Sequence, residues 1–178
     1  RKSNNAGLVT LGVTHNRGTI DVQSGTLNFN QGGNWSGGTY TVASGATLQT
    51  SMSGGSWNWS GTMSGSGAGA MRHTGGNITI GAGGLTLDFD PGLFTYNAGF
   101  TLSGNSITIP AAKGIALDPN GGVMIFNAAV TNAGTVVVNM PGGGRVDFGA
   151  SGPLLNSGVL DLQNGTGTVL GGAGTITN

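Results

Sequence analysis

Gly18-Thr19-Ile20-Asp21-Val22-Gln23-Ser24-Gly25-Thr26-Leu27-Asn28-Phe29 holds two apolar-polar-apolar triplets, Ile20-Asp21-Val22 and Leu27-Asn28-Phe29, with a Ser-Gly corner between them. Alternate side chains of a strand point to opposite faces. Ile20 and Val22 therefore share one face and Asp21 takes the other; Leu27 and Phe29 do the same around Asn28. A carboxylate at the middle position fits water outside and an apolar layer inside. Gly25 accepts a positive φ at little cost, which suits a sharp corner. Neither strand is long enough to be stable alone or as a lone hairpin. Each needs similar neighbours above and below, so the stretch reads as one coil of a β-solenoid.

The neighbours are present. The same strand-corner-strand grammar begins at Gly38, Gly76, Asn105, Gly134 and Gly158. From Gly18 onward the starts fall 20, 38, 29, 29 and 24 residues apart. The long gap is expected to hide a coil near Gly61-Thr62-Met63. An imperfect repeat of roughly 20–30 residues marks a solenoid or similar array. Within the last repeats, Val137 is taken as an inward residue. Ser64-Gly65-Ser66-Gly67-Ala68-Gly69 is nearly free of side chains and is expected to be a loop or a thin coil.

Composition supports strands and corners. Glycine makes up 38 of 178 residues, against a usual ~7%. Charged residues are only 7%, and all six acids are aspartate. Thr, Val and Ile in short alternation favour strands, and exposed-helix formers are scarce. The net charge is zero, and six scattered basic residues do not supply the clusters that nucleic acid requires. No apolar run reaches the ~20 residues of a membrane helix. There is no cysteine, hence no disulfide staple or thiol chemistry. No start methionine or signal peptide is visible in the sequence, which opens at Arg1 and ends in the strand-like Thr175-Ile176-Thr177. It is expected to be one solenoid domain, residues 1–178, cut from a longer chain whose flanking domains are its first partners.

Corners carry a second marker, Asn-x-Gly, at Asn5, Asn16, Asn97, Asn132 and Asn156. Asparagine tolerates left-handed backbone and bonds its own turn, and at equivalent corners such residues can form ladders. Pro91, Pro110 and Pro119 follow short strands and mark further corners.

The residues that could carry chemistry are few. Trp35, Trp57 and Trp59 are the sharpest group: Trp57 and Trp59 share a face, and Trp35 lies about one coil away. Facing out, they would form an aromatic patch suited to sugar stacking or protein contact; facing in, they would be a core stack. Asp88-Phe89-Asp90 puts two carboxylates on one strand face, which could bind a cation or do acid-base work, but the pair reads first as a solvated outer face beside a Pro-Gly turn. The nearest cations, Arg72 and Lys113, have no evident place beside them. His15 and His73 lack further ligands for a metal, and no cofactor is expected. Gly142-Gly143-Gly144-Arg145-Val146-Asp147 approaches a calcium-binding nonapeptide, but Arg145 stands where that motif needs glycine. Thr39 with Thr41, and Thr175 with Thr177, resemble the threonine arrays of ice-binding solenoids without recurring on every coil.

The units Asn-x-Gly-Thr-hydrophobic-x-hydrophobic and Ser-Gly-Thr-hydrophobic-x-hydrophobic, at 16–29, 36–50, 132–148 and 156–170, resemble the passenger regions of bacterial autotransporters and filamentous haemagglutinin-like adhesins. The resemblance implies an all-β, right-handed, single-stranded parallel β-helix, here of about six to eight coils. It also implies a structural or adhesive role outside the cell or on a bacterial surface, with a glycan or host surface as partner. A carbohydrate-binding module and a polysaccharide-degrading β-helix enzyme are the alternatives. Unpaired strand edges at the ends of a solenoid imply end-to-end association.

Overall fold

The computed structural model describes residues 1–3, 6–12, 17–52, 55–165 and 169–178. The described residues contain strands and turns and no helix, and no helix is long and apolar enough to cross a membrane. Every strand pairing is parallel. The chain is a β-solenoid of about seven turns.

Each turn contributes a strand to three stacked faces. The first face is an eight-stranded parallel sheet: Leu8–Leu11, Thr26–Phe29, Thr47–Thr50, Ala70–His73, Phe94–Tyr96, Gly114–Leu117, Thr135–Asn139 and Val159–Gln163. The second and third faces are joined in the early coils by three long strands, Gly33–Val42, Ser56–Ser66 and Asn77–Phe89. These bend through a register shift, between Ser36 and Gly38 in one pair and between Trp59 and Gly61 in the next. Gly37 and Gly61 sit at the bends with φ of 86° and 69°, a region that side-chain-bearing residues avoid. Beyond Asn77–Phe89 the two faces part. Residues 78–80 pair with Thr101–Gly104 and residues 85–86 with Ile107–Ile109. The second face then continues through Val123–Phe126, Arg145–Phe148 and Leu170–Gly171. The third, opened by Thr19–Val22, continues through Val130–Asn132, Leu154–Asn156 and Ile176–Thr177.

Three strands per coil explain the uneven repeat. Gly18–Phe29 is not a whole coil but its third-face and first-face strands. The unit at 76 runs from the second face to the third, the unit at 105 from the third to the first, and those at 134 and 158 from the first to the second. One grammar serves all three corners, so sequence starts drift around the coil. The true step is shorter and steadier. It is 18 residues from Leu8 to Thr26 (26 − 8) and 24 from Thr135 to Val159 (159 − 135).

The hidden coil is present: Met63 lies in strand Ser56–Ser66, between Gly38 and Leu87. Ser64-Gly65-Ser66, expected as loop, belongs to this strand; only residues 67–69 turn the corner. Gly65 is there for space. In its vertical file it lies between Tyr40 and Phe89, whose rings come within 6.2 Å of each other across the coil between them. A Cβ on Gly65 would stand 2.5 Å from Phe89 and 2.8 Å from Leu93.

The interior is one continuous apolar column. Its early coils are aromatic, with Phe29, Trp35, Tyr40, Trp57, Trp59, Phe89, Phe94, Tyr96 and Phe100 buried. Its later coils are mainly aliphatic, with a Phe126–Phe148 stack at 5.4 Å. A void of about 10 Å³ lies among residues including Ile107, Ile115, Leu117 and Val136, and its apolar lining keeps it dry. Val136 and Val138 point inward, and Val137, expected inward, points out. Thr135 and Asn139, the polar ends of the strand, share Val137's parity and take the outer side with it, and the neighbouring coil places Val137 in register with Asp161.

Candidate ligand-binding surface

The tryptophan triad is interior. Trp35, Trp57 and Trp59 each expose 0% of their surface. They therefore do not form a sugar-stacking platform, and the outward reading of these three residues is corrected. Trp35 stacks on Tyr40 at 5.7 Å and on Trp59 at 6.0 Å, and Trp57 meets Trp35 edge-on at 5.7 Å. Trp57 Nε1 donates to the Gly75 carbonyl. The cue was in the sequence: Ser56, Asn58 and Ser60 alternate with the two tryptophans, so the polar set takes the wet face.

His73 belongs to the same cluster. It is wholly buried and meets Trp57, Trp59, Tyr96 and Phe100 edge-on, the last at 4.6 Å. A carbonyl can only accept, so Nε2 carries the proton that bonds Gly76 O at 2.9 Å. Nδ1 then accepts from the Thr50 hydroxyl at 2.9 Å. Burial pushes the imidazole pKa down to about 4, partly countered by the bond to Gly76. Both ring nitrogens are engaged, and the ring is a neutral structural group. His15, Asn5 and Asn16 lie outside the described residues.

The outer surface of the third face carries the largest charge cluster among the described residues. Lys113 Nζ lies 3.3 Å from Asp88 and 3.1 Å from Asp90. Strand alternation sends Asp88 outward between buried Leu87 and Phe89. Asp90 follows at the corner, and Lys113 comes from the matching corner one coil on, where its N–H bonds Pro110 O. Ser64 donates to Asp88 Oδ2 at 3.0 Å. Around them Thr39, Ser64, Gly65 and Ser66 complete a shallow groove of about 140 Å³. The two carboxylates hold the Lys113 ammonium above its ordinary pKa, the bond to Asp90 most of all. The expectation that Lys113 has no place near this pair is thus overturned, and Arg72 stands outward on the first face instead.

No protein-family model, curated protein or solved structure matches the chain. Its chemistry is read from the geometry alone.

Two further groups are structural. The Asn-x-Gly corners at Asn132 and Asn156 form a ladder: Asn132 Nδ2 donates to Asn156 Oδ1 at 2.7 Å, and Asn156 Nδ2 donates to Asn178 Oδ1 at 2.9 Å. Asn132 Oδ1 takes the Gly134 N–H at 3.1 Å. Asn97 bonds Asp118 instead, at 2.8 Å. Arg145 pairs with Asp147 on its own strand at 2.6 Å, which accounts for the Gly142–Asp147 stretch without a metal.

Proposed function

We propose that the chain is a structural and adhesive β-solenoid segment of a secreted or surface-displayed bacterial protein. The observation that carries this reading is the division of its side chains. The aromatic groups among the described residues and His73 are sealed inside, and the outer faces carry small polar residues whose main charge cluster pairs its one ammonium with two carboxylates. A surface of this kind suits a spacer or a broad contact face more than a reaction centre. The ends of the stack favour further coils or a second copy, because apolar side chains stand exposed there: Leu8 at one end, Val159 and Leu162 at the other. Sedimentation velocity over a wide concentration range should show end-to-end association, and beads coated with the chain should adhere to immobilised glycoprotein. Turnover of an acidic polysaccharide that is lost in an Asp90→Asn variant would overturn the reading in favour of an enzyme.

A second reading is favoured by the Lys113 groove. Its hydroxyls, carboxylates and ammonium offer hydrogen bonds of both senses to a sugar. Glycan-array binding lost in Lys113→Ala would support it, and binding unchanged in that variant would remove it.

A further inference from the structure

The second face holds a feature that neither reading uses. The sequence contains four Asn-x-Ser/Thr triplets, beginning at Asn34, Asn58, Asn77 and Asn164. The last includes Thr166, outside the described residues. The other three, Asn34-Trp35-Ser36, Asn58-Trp59-Ser60 and Asn77-Ile78-Thr79, occupy second-face strands of three successive coils.

Strand alternation makes each triplet a matched pair of outward groups. The middle residues Trp35, Trp59 and Ile78 are wholly buried. Asn34, Asn58 and Asn77 are exposed, and each has its hydroxyl partner two residues on, on the same side. The first two triplets are in register, and the third is offset from them by two residues. Asn34 lies beside Asn58 and Ser36 beside Ser60, and Asn58 lies beside Thr79. Amide orientation is set by bonds to neighbouring coils. Asn58 Nδ2 donates to Asn34 Oδ1 at 3.1 Å, and Asn77 Oδ1 accepts the Thr101 N–H at 3.0 Å. The second bond turns the Nδ2 end of Asn77 away from the next coil. Asn58 has two amide hydrogens, so bonding Asn34 leaves one for substitution.

We propose that this rank is an N-linked glycan acceptor face. Asn-x-Ser/Thr is the acceptor triplet for such transfer. In the reaction, amide Nδ2 attacks the anomeric carbon of a sugar carried on a phosphate or pyrophosphate. The N–C bond forms, the C–O bond to phosphate breaks and the phosphate leaves as the anion. The displaced amide proton passes to the transferase. Neighbouring coils are only ~4.8 Å apart, too close for two branched chains side by side. Asn34 and Asn58 therefore share one glycan, and Asn77, which sits beside Ser56 and so two residues back along the face, takes another. The proposal stands apart from the adhesive reading, because the rank can carry sugar whether or not the molecule adheres.

The test is peptide mapping of the protein recovered from the cells that produce it. Cleavage after Arg17, Arg72 and Lys113 isolates residues 18–72, with Asn34 and Asn58, from residues 73–113, with Asn77. Each peptide is expected to carry one glycosyl mass increment, placed on asparagine by electron-transfer fragmentation. Bare masses for both peptides would overturn the proposal. A Ser36→Ala, Ser60→Ala double variant, its folding checked by melting temperature, should lose the increment on 18–72 and keep that on 73–113. A Ser36→Thr, Ser60→Thr double variant should keep it. An increment that persists in the double alanine variant would also overturn the assignment.

Discussion

At the scale of single residues, inside and outside are decided by alternation, and the costs are lopsided. Val138 is wholly buried and Val137 is not. Val138→Asp should lose about 3–5 kcal/mol, because the carboxylate has no partner inside. Val137→Asp should change stability by less than ~1 kcal/mol. Urea unfolding of the pair separates the two outcomes. Tyr96 is fully buried, and its hydroxyl has no hydrogen-bond partner among the described residues. Tyr96→Phe should therefore raise stability by about 1 kcal/mol, since it removes an unsatisfied polar atom and keeps the ring. His73 gives the fold a dependence on pH. Its pKa falls from 6.5 to about 4 on folding, so between those values the unfolded chain takes up a proton that the native chain refuses. Stability should be highest above pH 6.5, decline by about 3 kcal/mol as pH falls to 4, and level off below. Melting temperatures from pH 7.5 to 3.5 check this, and His73→Gln should flatten the curve. Much of this scale was legible beforehand. Ile20, Val22, Leu27 and Phe29 turn inward as their polar partners require. Val137 departs from the inward expectation because its immediate neighbours, both valine, give no contrast; the phase is carried by Thr135 and Asn139 two residues away on either side.

At the scale of elements, the corners specify the register. Asn132 is wholly buried, donates to Asn156 and to Val159 O, and accepts from Gly134 N. Asn132→Ala would orphan several of these groups at once and should cost about 2–3 kcal/mol. Asn139→Ala removes the exposed rung from Asn164 and should cost less than ~0.5 kcal/mol. Chemical denaturation of both variants tests the contrast. The strand-corner-strand unit and the asparagine ladder were visible in the sequence because both are local. The number of faces per coil was not, since every corner uses the same residues. Lys113 was hidden for a related reason. It meets Asp88 and Asp90 across a coil boundary, and only a known coil length brings corner 110–113 beside corner 90–93.

At the scale of the molecule, each coil packs chiefly on the coils on either side, with Tyr40 and Phe89 meeting past Gly65 as the exception described above. Stability is then close to a sum of coil and neighbour terms, and opening begins at the ends. Amide hydrogen exchange should be slowest for residues 57–96, where buried aromatics are densest, and fastest in Leu8–Leu11 and Ile176–Thr177. Uniform protection along the chain would contradict this. The solenoid class was legible from the repeating grammar. The groove at Lys113 and the asparagine rank on the second face were not, because both exist only once coils are stacked in register.

The change of filling from aromatic to aliphatic along the column has a spectroscopic consequence. Trp57 and Trp59 each sit within about 6 Å of Trp35 in the early coils, close enough to share excitation with it, and no tryptophan follows residue 59. Intrinsic emission therefore reports on one half of the rod alone. A denaturation followed by fluorescence and by far-ultraviolet dichroism should give two midpoints wherever the distal half melts first, and the optical silence of that half would otherwise pass for stability.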